Sequence, residues 1–220
     1  MQQQQLILAS GSPRRQQFLR ELDVAYQVVV ADIDESPHLE ETPIDLAYRL
    51  AEAKAAAVAA RLVGQQAALI IAADTVVALG NTLLGKPADE AEAIAMLQCL
   101  CNRVHHVHSS VCVWDSVSGE HLTRVNSTEV QMRAYNATEM YAYVATGDPL
   151  DKAGAYAIQH PDFAPACAIN GCISGVIGLP LNDLRELLAT FRVQVPASVT
   201  TVCEQQTAFR CCQQVETELK

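Results

Sequence analysis

Short apolar runs alternate along the chain with stretches whose apolar positions recur every three to four residues, an order that predicts an α/β protein. Leu6, Ile7 and Leu8 read as a buried strand. Ser12 and Pro13 then open a helix as cap and first residue, with Phe18, Leu19 and Leu22 as its apolar stripe. Tyr26 to Val30 ("YQVVV") reads as a second strand and leads into an acidic loop, "ADIDESP". Thr42-Pro43, with Asp45 in a capping-box-like position, opens a long alanine-rich helix that runs to about Leu62. "ALIIAADTVVAL", Ala68 to Leu79, is a central strand or strand pair, and "GNTLLGKP" turns into a helix from about Ala88 to Leu100.

Further on, "RVHHVHSSVCVWD" and "HLTRVNSTEVQMRAY" form a hairpin around Ser118-Gly119. Asn136, with Glu139 three residues on, caps a short helix, and "GDPLDKAGAYAIQ" is a loop entering another strand. "GVIGLPL" and "NDLRELLATF" close the domain as strand, turn and helix. Beyond about Arg192 the periodicity fades. Residues 1–192 are therefore expected to form one domain, and 193–220 a peripheral tail that is helical in part or disordered. The polar start "MQQQQ" is expected to fray.

Composition narrows the class. Half of the 220 residues are hydrophobic and 18% are charged, which describes a folded globular chain. A net charge of −10 argues against a nucleic-acid polymer as partner, so an anion bound at a local basic patch should be small. There is no secretory pattern, and the longest apolar run is too short for a bilayer and is broken by Asp74; a cytoplasmic location is the expectation. The eight cysteines, among them Cys211 and Cys212, form no C-x-x-C pair, and most of them read as reduced packing residues, with a zinc site the less favoured alternative.

Several polar residues stand where packing alone does not put them. Arg14 and Arg15 occupy a helix start, where the positive end of the dipole disfavours cations; a bound anion would resolve the conflict. Asp74 lies midway through an apolar strand, where a carboxylate needs a cation, metal or proton, unless the strand breaks there and the side chain caps a turn. Lys54 lies at the edge of the stripe formed by Leu46, Leu50, Ala57 and Val58, a position that snorkelling explains. Lys86 and Glu35 are loop charges that mean little alone, although carboxylates with phosphate oxygens suit Mg²⁺. His105, His106 and His108 alternate across a strand and read as a structural run rather than three ligands. No P-loop, nucleophile elbow or H-E-x-x-H occurs. Two arginines, two lysines and two carboxylates together suit a polyphosphate.

The segments "LILASGSPRRQQFLREL", "DIDES", "AADTVV", "LLGKP", "HHVHSSV", "PLDKAGAYAIQ" and "VIGLPL" occur in the order found in Maf proteins, the nucleoside triphosphate pyrophosphatases, and the chain resembles that family from about Leu6 to Phe191. The resemblance implies an elongated mixed β-sheet flanked by helices, with two lobes and a central cleft, like inosine triphosphate pyrophosphatases. It implies hydrolysis of a nucleoside triphosphate to monophosphate and pyrophosphate with a divalent cation, Mg²⁺ or Mn²⁺, by a cytoplasmic homodimer that removes non-standard nucleotides. By the same resemblance Ser10, Ser12, Arg14, Arg15, Lys54 and Lys86 surround the phosphates, Asp74 is the proton acceptor, and Glu35 and Asp74 hold the metal. Arg14, Thr75 and Gln159 mark the branch similar to dTTP/UTP pyrophosphatases.

One departure bears on specificity: after Gln159 this chain reads "HPDFAPACAING", where many relatives have a glycine-rich turn, and Pro161 and Pro165 stiffen a loop expected beside the base. Broader triphosphate specificity is the alternative. A non-catalytic nucleotide sensor and a thiol/histidine metal module are the rivals from other classes.

Overall fold

The computed structural model of the chain describes residues 5–64 and 67–210. Of the five-residue start expected to fray, Gln5 belongs to a strand, and residues 1–4, like the pair Cys211 and Cys212, lie outside these residues. The architecture is mixed α/β. Seven strands form one sheet in the order β2-β1-β3-β5-β6-β7, with β4 paired to β3. The strands are β1 (Gln5–Leu8), β2 (Gln27–Val28), β3 (Ala68–Leu79), β4 (Thr82–Leu84), β5 (Val104–Asp115), β6 (His121–Met132) and β7 (Ala166–Asn170). The first pairs, β1 with β2 and β1 with β3, are parallel, and all others are antiparallel.

Helices cover both faces. Against one face lies α2 (Pro43–Arg61), whose Ala51, Ala55 and Val58 pack on Ile7, Ile70 and Ala72. Small side chains let this helix approach closely, which brings Lys54 down onto the strand. The other face carries the larger core, in which Phe18 and Leu19 of α1 (Pro13–Glu21) meet Leu97 of α3 (Glu90–Leu100) and Leu184 and Leu188 of α6 (Leu181–Thr190). Thr42 and Asn136 cap α2 and α4 (Ala137–Val144) as their spacing predicts, each side chain accepting from the backbone amide three residues on.

Four local expectations change. The second strand is only Gln27–Val28, not Tyr26 to Val30. The helix expected from Ala88 starts at Glu90, because Asp89 caps it through the Glu92 amide. The loop "GDPLDKAGAYAIQ" does not enter a strand directly; the next one, β7, starts only at Ala166. Gly154 and Ala155 take left-handed conformations, φ 73° and 59°, that turn the chain before Tyr156 and Ile158 bury themselves. "GVIGLPL" is not a strand: Ile173–Ile177 form a short helix, α5, since β7 already holds the place beside β6. A five-residue apolar run reads alike in a buried strand and a buried helix.

The segment after 192 is helical in part. Val199, Val202 and Cys203 of α7 (Val199–Glu204) are buried in the main core, so the described part of the segment after 192 packs on the domain.

Candidate active site

The site begins with a gap in the sheet. Along one edge of β3, β1 pairs only as far as Ile71, and a last bond joins the Ala9 amide to the Ile71 carbonyl. On the same edge β4 pairs from Val77 onward. The other edge of β3 is bonded to β5 continuously from Leu69 to Ala78. Residues 72–76 are thus held straight on one side and open on the other, and Asp74 and Thr75 stand at that opening. Asp74 lies in regular strand and does not cap a turn.

Opposite the gap the chain leaves β1, passes Ser10 and Gly11, and enters α1. Together these elements line a cavity of about 630 Å³ whose walls include Ser10, Ser12, Arg14, Arg15, Glu35, Lys54, Asp74, Thr75 and Lys86. Nine of the ten residues singled out in the sequence therefore share one cavity. Gln159 is not in its lining, although Ile158 is. Its amide nitrogen instead donates to the Gln206 side-chain oxygen at 2.8 Å, and Gln206 donates in turn to Glu21 at 2.9 Å.

Lys54 does not snorkel. Its side chain reaches inward from α2 and its Nζ lies 2.6 Å from Asp74 Oδ1 and 2.8 Å from Glu35 Oε1. Lys54 and Asp74 are only 8% and 6% exposed, so each needs the other's charge. Glu35 is on an exposed loop. That loop is steadied by Arg49, which pairs with Glu41 at 2.6 Å and donates to the Ser36 carbonyl at 3.0 Å. The Arg49 contact holds the Glu41 carboxyl down at about 2.

Arg15 is fixed by its own fork. Its Nε donates to the Gly178 carbonyl at 2.8 Å and Nη1 to Ser10 Oγ at 3.2 Å. Gly178 sits at φ 131°, a conformation that glycine adopts without strain, and so its carbonyl can follow α5 into the site. Burial lowers the Arg15 pKa, opposed by the charges of Asp74 and Glu35, but a guanidinium starts high enough to stay protonated. The conflict at the α1 start is therefore real: arginines occupy the first turn, no acid is there, and Ser12 makes no side-chain cap.

Thr75 is oriented from behind. Ser109 donates its proton to the Gly175 carbonyl at 2.6 Å, which leaves Thr75 as the donor in the 2.9 Å bond between the two hydroxyls.

Sequence reasoning missed Lys152, Asp151, Tyr156 and the apolar residues Val77, Val176 and Ile177, all in the cavity wall. Lys152 is buried, pairs with Asp151 at 2.5 Å and Asp148 at 2.9 Å, and belongs to the turns that join the Lys86 loop through the Gly154 amide and Gly85 carbonyl. A lysine among aspartates in "DPLDK" was the available signal. The three-histidine run holds no metal site: His106 and His108 stack on one face, while His105 is buried on the other against Tyr156. No group of three or more His, Cys, Asp or Glu placed to hold a metal occurs among the described residues.

Five cationic and three acidic side chains thus line one cleft of a mixed α/β protein, with a buried carboxylate on its central strand. The particular lineage follows from comparison. Residues 5–191 match the model of the Maf-like protein family, and the chain belongs to that family. A dTTP/UTP pyrophosphatase of Myxococcus xanthus is 45% identical over 87% of this chain and 94% of its own. The dTTP/UTP pyrophosphatases of Pelotomaculum thermopropionicum (41% identical, 87% of this chain and 98% of that one) and Alcanivorax borkumensis (44%, 83% and 93%) are similar too. A solved nucleoside-triphosphatase, a dITP/XTP pyrophosphatase of Mycobacterium abscessus, superposes with a TM-score of 0.41 at 15% identity, covering 86% of this chain and 96% of that one. Among the described residues no helix is long and apolar enough to cross a membrane.

Proposed function

We propose that the protein hydrolyses dTTP and UTP to the nucleoside monophosphate and pyrophosphate, with Asp74 as the reacting carboxylate. One observation carries the reading: a buried carboxylate on the central strand faces a cleft crowded with cations, at the start of a helix whose first turn needs an anion. The names of the relatives supply the substrate class.

The triphosphate lies across the α1 start. Arg14, Arg15, Lys54 and Lys86 neutralise its β- and γ-phosphates, and Ser10 and Ser12 supply hydroxyl contacts. Water attacks the α-phosphorus in line, the bond to the bridging oxygen breaks, and pyrophosphate leaves with that oxygen. Asp74 accepts the proton of the attacking water. The cationic groups stabilise the charge that accumulates on the departing pyrophosphate more than the charge of the bound substrate, which is what accelerates the step.

The chemistry of the donor set fits a divalent metal. Asp74 and Glu35 converge on a single point, the Lys54 ammonium, and hard cations such as Mg²⁺ and Mn²⁺ take one or two carboxylates and complete their shell with phosphate oxygens and water. Bound there, such an ion would supply Lewis-acid stabilisation of the phosphate oxygens. Arg14, Thr75 and Gln159 select the base. The protein acts in the cytoplasm as a homodimer, the latter open to light scattering on the purified chain.

Hydrolysis of dTTP in ¹⁸O-enriched water tests the bond that breaks. Label should enter the monophosphate and not the pyrophosphate. Release of orthophosphate with the diphosphate would reject the reading.

A further inference from the structure

The two carboxylates that fit a metal already hold a cation. The Lys54 ammonium lies at their convergence, 2.6 Å from Asp74 and 2.8 Å from Glu35, where an ion bridging the same oxygens would sit. We infer that Lys54 is a resident counter-ion that closes the cation site until a polyphosphate draws it away, so that divalent metal and nucleotide bind as a linked pair. This rests on the pyrophosphatase reading, and it gives Lys54 two positions rather than the single phosphate-facing one.

Electrostatics forbids joint occupancy. A divalent ion and an ammonium sharing one pair of carboxylates would lie within a few ångströms of each other and repel, most strongly on the buried Asp74 side of the pair. Metal entering alone must therefore displace Lys54. Asp151, the other acid in the cavity wall, is already paired with Lys152 at 2.5 Å, so the displaced ammonium finds no anion among the protein's own lining residues.

A polyphosphate changes that balance by offering Lys54 a new partner within the same cavity, and its own oxygens complete the metal's shell. The converse holds equally: phosphate that drew Lys54 away without metal would leave Asp74 and Glu35 bare beside it, with like charge.

Lys54 is suited to the exchange where Arg15 is not. Arg15 is anchored to Gly178 and Ser10. Lys54 ends in a flexible four-carbon stem with three donors and reaches the site from mid-helix. Glu35 is on a solvent-exposed loop and Asp74 on the central strand, so the exchange asks only a loop and a side chain to move. The consequence is that the free enzyme keeps little metal, and that the carboxylates stay neutralised, and the strand stable, between turnovers.

Mn²⁺ binding, read by the electron paramagnetic resonance signal of the free ion, tests this without turnover, with inorganic orthophosphate as the anion. Orthophosphate should tighten Mn²⁺ binding to the unaltered protein by about 5- to 150-fold, the usual range of coupling between linked sites. Lys54→Gln should bind Mn²⁺ tighter by a similar factor with no phosphate present, and phosphate should then add little. Lys86→Gln removes a cation of the same cavity that does not contact the carboxylates. It serves as the control for general field effects and should shift Mn²⁺ affinity much less.

Mn²⁺ affinity of the unaltered protein that ignores orthophosphate would overturn the proposal, and this arm needs no variant to fold. Equal tightening in both lysine variants would overturn it as well. The dTTP reaction is judged separately. A protein that releases pyrophosphate but shows no linked Mn²⁺ binding rejects the counter-ion exchange alone. Linked binding without pyrophosphate release rejects the reaction alone.

Discussion

Arg15→Lys separates charge from geometry at the start of α1. The guanidinium has five N–H donors. Two of them are committed to Gly178 and Ser10, at 2.8 and 3.2 Å, which leaves a rigid edge of the fork for phosphate oxygens. A lysine keeps the positive charge but has a compact ammonium that cannot span Gly178 and Ser10 while also meeting a phosphate. If geometry matters, the variant loses at least one charge-assisted hydrogen bond to the departing pyrophosphate. Such a bond is worth about 1.5–3 kcal/mol, which corresponds to roughly a 10- to 160-fold fall in kcat/KM. The assay is continuous pyrophosphate release from dTTP, with urea unfolding in parallel to confirm that the lost Gly178 contact costs no more than about 3 kcal/mol of stability. A variant within about twofold of the unaltered enzyme would refute the fork argument and reduce Arg15 to a point charge.

Other predictions concern separate parts of the molecule. His105 is fully buried and its pKa is pushed down to about 4 by desolvation, so the unfolded chain binds a proton that the folded one refuses between about pH 6.5 and 4. Stability should fall through that window by up to about 3 kcal/mol as pH is lowered, and His105→Gln should flatten the slope of the urea midpoint against pH; an unchanged slope would contradict it. Val202→Ala, in the core-facing side of α7, should cost about 1–3 kcal/mol in urea unfolding with kcat unchanged, whereas a loosely attached helix would show no loss. Gln159→Ala should change the ratio of kcat/KM for dTTP over dGTP by at least about fivefold, the scale of one hydrogen bond, and an unaltered ratio would remove Gln159 from base selection.

Much of this architecture was readable in advance, and the places where reading failed have physical causes. Caps were legible because they are local: Thr42 and Asn136 are set by residues three positions away. Asp74 was legible because a carboxylate in an apolar strand is costly wherever the strand runs. Its partner was not. Lys54 sits 20 residues earlier in sequence and looked like a snorkelling edge residue, since the approach of α2 to β3 depends on small side chains on both elements. Lys152 escaped because its two aspartates make it resemble a solvated loop charge, although it is buried. "GVIGLPL" was misread as a strand because sheet edges are allotted by tertiary pairing: β7 filled the remaining edge. The placement of Gln159 against Gln206 depends on the segment after residue 191, beyond the stretch matched by the family.

The central claim is that the buried carboxylate of Asp74 takes part in the reaction instead of serving as a structural partner for Lys54. Asp74→Asn keeps the size and a hydrogen-bonding oxygen for Lys54 while removing the charge and the proton acceptor. Single-turnover release of pyrophosphate from dTTP, measured on variant protein shown to be folded, should slow by roughly a hundredfold or more, in line with the loss of a general base. A rate near that of the unaltered enzyme would contradict the account.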